Sequence, residues 1–310
     1  MPLASLTLAR QEIAAVRVGG DVYVVGGLIA GFPFTATDAV ERYSIAANQW
    51  SSAPPLPVAL DHAAAAELGG EIYVMGGFSG DFQPRDDVYI FSPSRNEWRN
   101  GPPLPEARGA AWAAAQGGRI YLFGGDGPSG TSASTFVFDP ATGWVTAAPM
   151  PTAREHLTAV AHGGFLYVIG GRAGSAVGAN ERYDPATNDW ETLAPLPTAR
   201  SATATAVLHG RIYVAGGEVP MLFDVHEVYD IASGEWSCRE PMAIPRHGVA
   251  AVSLDDRILL PGGGIVQGLL PTNAVDSFVP PLEVPALAPV ARFILLPGIL
   301  AGIFVCLPRP

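Results

Sequence analysis

The chain has 310 residues, 48% apolar and only 15% charged, and its 18 Lys/Arg against 29 Asp/Glu leave a net charge of −11. This composition supports a packed core and excludes bulk disorder. The acidic balance, with no block of Lys or Arg, argues against general nucleic-acid binding, which needs a basic stripe.

Residues 1–10, MPLASLTLAR, align without a gap on residues 191–200, ETLAPLPTAR: Leu3 falls on Leu193, Ala4 on Ala194, Leu6 on Leu196 and Arg10 on Arg200. The start therefore reads as the end of an outer strand with no unit of its own. Residues 1–6 are expected to complete the last unit and close a ring; a frayed terminus is the alternative.

From there one pattern repeats. A turn pair such as Gly163-Gly164 opens a short alternating run, Leu-Tyr-Val-Ile at 166–169, which a second glycine pair closes; a loop, a Glu-Arg-Tyr-Asp-Pro segment and a Trp follow. The closing pairs are Gly26-Gly27, Gly76-Gly77, Gly124-Gly125, Gly170-Gly171, Gly216-Gly217 and Gly262-Gly263, spaced 50, 48, 46, 46 and 46 apart. Trp50, Trp98, Trp144, Trp190 and Trp236 keep the same beat, while Trp112 lies off it. The apolar runs are too short for buried helices and are bounded by glycines that suit tight hairpin turns. Each unit predicts four strands; in the fourth they fall at 158–162, 165–169, 180–183 and around Trp190. A single such sheet cannot bury both faces, but six arranged radially can.

The diglycines, the strand tyrosines Tyr43, Tyr183 and Tyr229, and the periodic Trp residues resemble the kelch repeat family over residues 1–281. The expected fold is all-β, a six-bladed kelch-type β-propeller with four antiparallel strands per blade. The sixth unit is degenerate: Leu259 stands for Tyr, Pro261 precedes the glycines and no Trp follows.

The first three loops after the diglycines are elaborated, and Phe32, Phe34 and Phe82 on them read either as partner contacts or as side chains folded back onto the blades. Residues 282–310 leave the repeat. Their apolar run at 293–307 falls short of a bilayer core. It weakly resembles bacterial sorting tails; a membrane tail, a tail packed on the propeller and a sequence-end artefact are the three readings. No basic region followed by an apolar core opens the chain, which predicts no secretory signal peptide and a cytoplasmic or tail-anchored location, or a true start upstream. Cys238 and Cys306 do not indicate a disulfide framework, and no CxxC or His/Cys spacing suggests zinc or any other metal site.

Sixteen residues before each closing diglycine stand Arg10, Leu60, Arg108, Arg154, Arg200 and Arg246. Two positions later come Glu12, His62, Ala110, His156, Ala202 and Gly248, with His247 one place earlier. Five guanidinium groups near a channel mouth suit a carboxylate or phosphate, with His62 and His156 beside them. The structural alternative is that each Arg binds carbonyls at its corner. Glu41, Glu181 and Glu227 read as structural. No nucleophile elbow, catalytic triad order or phosphate loop is visible.

The resemblance implies a non-catalytic, monomeric interaction module without cofactor, binding a protein or small anionic partner on its loop-rich face. The alternative it implies is a sugar-converting enzyme like the bacterial sialic-acid mutarotases, with Glu12, Glu106 or Glu155 as acid/base beside the arginines.

Overall fold

The computed structural model describes residues 3–30, 35–80 and 82–280. Phe32, Phe34 and the tail at 282–310 lie outside the described residues. The rest is a six-bladed propeller with no helix among the described residues. The fourth blade shows the plan: antiparallel strands Thr158–His162, Phe165–Ile169, Asn180–Asp184 and Asp189–Thr192, hydrogen-bonded in chain order. Five blades have this form; the sixth has three strands among the described residues, Val252–Ser253, Ile258–Pro261 and Val275–Phe278.

Neighbouring blades are clasped by the diglycines. Gly171 N donates to Arg200 O at 3.1 Å, across to the next blade. A Cβ on Gly170 would stand 2.8 Å from that same carbonyl, which only glycine at φ 61° allows. The clasp recurs around the ring and closes it, since Gly263 N donates to Arg10 O at 2.8 Å.

The repeated Trp makes a second tie. Trp98, Trp144, Trp190 and Trp236 donate Nε1 to Pro54 O, Pro102 O, Ala148 O and Ala194 O of the preceding blade. Trp50 does the same to Ala4 O at 2.9 Å, so Ala4 occupies the place that Ala194 holds for Trp236. Leu6, 2% exposed, packs with Val252, Leu259, Tyr43 and Trp50, and its N–H donates to Asn273 O. Apolar burial between blades at about 25 cal/mol per Å² is the main stabilising term.

Candidate functional site

The connection entering each inner strand turns through one residue in the left-handed region: Glu12, His62, Ala110, His156, Ala202 and Gly248, with φ between 49° and 55°. Their backbones form a closed circle of hydrogen bonds. His62 N donates to Glu12 O, Ala110 N to His62 O, and so on until Glu12 N donates to Gly248 O at 2.8 Å. The left-handed turn aims these side chains at the propeller axis. It costs a non-glycine residue about 1–2 kcal/mol. Gly248 and the two alanines show that the ring forms without functional groups, so Glu12, His62 and His156 stand out as the positions where chemistry is retained despite strain.

The preceding residue of each corner makes a second tier, bridged to the residue after each diglycine. Asp61, Glu155 and His247 come from this tier, opposite Phe78, Arg172 and Gly264, while Glu218 faces Ser201. Together they form a polar well. Asp61 Oδ1 lies 2.5 Å from His62 Nδ1, and His62 Nε2 lies 3.5 Å from Glu12 Oε2. The other Glu12 oxygen lies 3.1 Å from His247 Nδ1. Glu155 contacts both His156 Nδ1 and Arg172 Nε. Arg172 also reaches Glu218 at 3.1 Å and His156 Nε2 at 3.2 Å. Arg can only donate, so His156 Nε2 accepts and the ring proton sits on Nδ1, facing Glu155.

Burial alone would raise the Glu12 carboxyl, but His62 and His247 outweigh it and hold the group well below the usual carboxylate range. Burial opposes charge on His62, yet Glu12 and Asp61 prevail and its pKa is raised. His247 is raised in the same way, burial being overcome by Glu12 and Glu218. His156 goes the other way: burial and the neighbouring His62 push it well down, so it stays neutral.

The sixth blade folds a hairpin over this well, Gly264–Val266 paired with Leu269–Pro271. His247 Nε2 lies 3.1 Å from Val266 O, Gly268 N donates to Glu218 at 3.0 Å, and Gln11 donates to Gly268 O. The hairpin turns Ile265, Val266, Leu269 and Leu270 outward, each 41–56% exposed. Met221 on the fifth blade's loop and Phe82 on the second blade's are also exposed, and the Phe82 ring lies tilted against Phe78, which packs edge-on against His62. The loop-rich face is thus an apolar rim around an acidic well. Below the well a cavity of about 40 Å³ is lined by Glu12, His62, His156 and Trp112. Trp112 also borders the opposite funnel, which small inner-strand residues line.

The arginines lie elsewhere. Arg10, Arg154, Arg200 and Arg246 are 0% exposed and Arg108 3%. Each is spent inside its own blade. Arg154 binds Glu181 Oε2 at 2.6 Å, Thr152 O and Val168 O; Arg10 binds Glu41 Oε2, Gly26 O and Ala39 O. Arg200 pairs with Glu227, Arg246 with Asp276, and Arg108 with Glu106, Ser132 and Ser134. The structure brings no arginine of this set to the well, so no cationic ring faces the channel; the corner-binding alternative describes all five. Of the expected residues it brings together His62 and His156, with ring centroids 4.8 Å apart, and Glu12 and Glu155 join them. Glu106 remains with Arg108, its side chain 44% exposed.

Asp61, Arg172, Glu218 and Gln11 were not singled out by sequence. Their one signal is adjacency to the corner and to the closing diglycines, at equal register in different units. A separate cavity of about 220 Å³ lies between the fifth and sixth blades, lined by His226, Met242, Phe278 and other packing residues, away from the well. It borders Glu240, the place where a sixth Trp would have bonded.

Residues 12–217 match the family model described as the KLHDC2/KLHL20/DRC7 Kelch-repeats domain, and residues 199–243 match the Kelch motif. The Kelch-like protein terF of Aspergillus terreus (strain NIH 2624 / FGSC A1156) is 38% identical over 56 residues, 17% of this chain. The match spans only 12% of that relative's length. The solved structure of YjhT superposes with a TM-score of 0.76 over 88% of this chain and 95% of that one, at 17% identity, a likeness of fold.

Proposed function

We propose, starting from the fact that the chain belongs to the kelch-repeat propeller family, that its loop-rich face binds a protein partner, with an extended or looped segment seated on the apolar rim. The observation that carries this reading is the rim itself: Phe82, Met221, Ile265, Val266, Leu269 and Leu270 are exposed on loops that surround a recessed polar centre. Exposed apolar side chains clustered on one face mark a contact surface. The well carries Glu12, Asp61, Glu155 and Glu218 against Arg172, His62 and His247, so its balance is acidic even with both histidines charged. A partner's Lys or Arg suits it, and a carboxylate does not.

A peptide-display selection on the intact chain tests this. Enriched sequences should pair a basic residue with apolar neighbours, and binding should fall in Leu269→Asp. Enrichment of acidic sequences, or none above an unrelated propeller, would refute it.

The sugar-converting enzyme remains a second reading because Glu12, flanked by His62 and His247, is an acid/base group in a recess. Against it, that carboxyl is driven down rather than up, and the ring arginines are not beside it.

A further inference from the structure

We propose that the floor of the well is a divalent transition-metal site of the Zn²⁺ class, with Glu12, His62 and His156 as its protein ligands. Such a site leaves the apolar rim as the partner surface, but a bound ion would offset the acidic balance that favours a partner's basic residue.

One ligand atom from each of the three lies within 4.8 Å of the others. In a tetrahedral site with bonds of about 2.0–2.1 Å the ligand atoms stand roughly 3.3 Å apart, so a small inward adjustment suffices. The three side chains are on separate blades, yet all occupy the same left-handed corner of the backbone ring, which fixes their Cα positions. The donor set, two imidazoles and a carboxylate, suits zinc and leaves a coordination position open. Space exists for the ion and for a water or partner atom in the cavity of about 40 Å³ that these residues line.

The surrounding contacts are those a metal histidine needs. Asp61 holds His62 Nδ1 and Glu155 holds His156 Nδ1, so two carboxylate–histidine pairs flank one shared carboxylate. Such pairs fix the ring orientation and leave Nε2 to coordinate. Glu12 is held through Oε1 by His247, which leaves Oε2 facing His62. At His156 the ion displaces the 3.2 Å contact with Arg172, and Arg172 retains Glu155 and Glu218. Gly248 makes the arrangement possible, since a Cβ there would stand 2.4 Å from Glu12 Oε1. Four carboxylates, Glu12, Asp61, Glu155 and Glu218, face this floor against the one guanidinium of Arg172, a field that favours a divalent cation.

The second possible triad, Glu12, Glu218 and His247, is less open, because Val266 O and Gly268 N already occupy it.

The test is titration of the intact, untagged chain with Zn²⁺ by calorimetry, and with Co²⁺ by visible absorption. The expected result is one equivalent bound at micromolar affinity or better, with the d–d bands of a four-coordinate nitrogen–oxygen site. His62→Gln with His156→Gln should weaken binding at least about a hundredfold, and Asp61→Asn by about 10–100-fold. His209→Gln, at an exposed turn, should change nothing. Thermal melts establish which variants are folded; if the double variant unfolds, Glu12→Gln alone takes its place. Absence of stoichiometric binding, or binding unchanged in a folded ligand variant, overturns the proposal. Neither result bears on Phe82 or Leu269, so the rim-binding reading fails or stands separately.

Discussion

Replacing Arg200 by Met should destabilise the propeller strongly, and removing its partner as well should restore much of the loss. Arg200 is 0% exposed and donates to Gly216 O at 2.7 Å, Thr198 O at 2.8 Å and Val214 O at 3.0 Å as well as to Glu227. Met fills a similar volume, so the change isolates the polar loss from cavity formation. It leaves Glu227, also 0% exposed, with the Thr198 hydroxyl at 2.9 Å as its remaining side-chain partner. An uncompensated buried charge costs about 3–5 kcal/mol. At about 2–4 °C per kcal/mol for a large domain, the melting temperature should fall by roughly 6–20 °C. In Arg200→Met with Glu227→Met no charge is stranded, and the double variant should be more stable than the single one. Urea denaturation of the four proteins in this cycle, with m-values checked for equality, gives the coupling. A single-variant loss below about 1 kcal/mol, or simple additivity, would mean that the arginine is not committed to the blade.

His226 yields a pH-dependent prediction. Burial first, then the Arg200 and Arg239 charges, lower its pKa from 6.5 to about 4. The unfolded chain therefore takes up a proton near pH 6.5 that the folded chain refuses, so stability is lost as pH falls from about 6.5 to about 4. At 1.36 kcal/mol per unit this amounts to about 3 kcal/mol. His226→Asn, the residue the fourth blade carries at this register as Asn180, should remove that part of the slope; identical slopes would refute it. Gly248→Ala should lower the melting temperature by several degrees and disturb the well, because its Cβ meets Glu12 Oε1 at 2.4 Å and Glu12 N at 2.8 Å; an unchanged melt and unchanged His62 titration by NMR would contradict the packing. Removing residues 1–6 takes away the Ala4 carbonyl bound by Trp50 and the buried Leu6, and should cost about 2–5 kcal/mol; equal midpoints in denaturant would show that the segment is dispensable.

The blades were legible because glycine pairs and Trp residues are needed at fixed points of every unit, for the clasp and the indole bond. The site was legible in register but not in direction. Arg10 and Glu12 are two residues apart, and only the left-handed turn at Glu12 decides that its side chain faces the axis while Arg10 turns into the blade. A further signal lay unused in the repeats. Where Arg stands at the corner, an acid stands on the third strand in four units: Arg10 with Glu41, Arg154 with Glu181, Arg200 with Glu227 and Arg246 with Asp276. In the second unit both are lost together, to Leu60 and Tyr89. Unequal loops shift the separation between 27 and 31 residues, which hides the pairing from a fixed-spacing reading. The hairpin over the well and the Arg172–Glu218 bridge join residues of different blades, 46 apart, and depend on the curvature of the closed ring.

The central claim, that the loop-rich face is the functional surface and the buried arginines are scaffold, is tested most directly by one set of binding isotherms. The best peptide from the display selection is titrated against the native chain, Phe82→Asp with Leu269→Asp, and Val145→Asp on an outer strand. All three substituted sites are about half exposed, so folding is spared in each. The account predicts at least about a tenfold loss for the rim variant, as expected for a contact hot spot, and none for Val145→Asp. Full affinity in the rim variant with a loss at Val145 would place binding on the blade edge and contradict it.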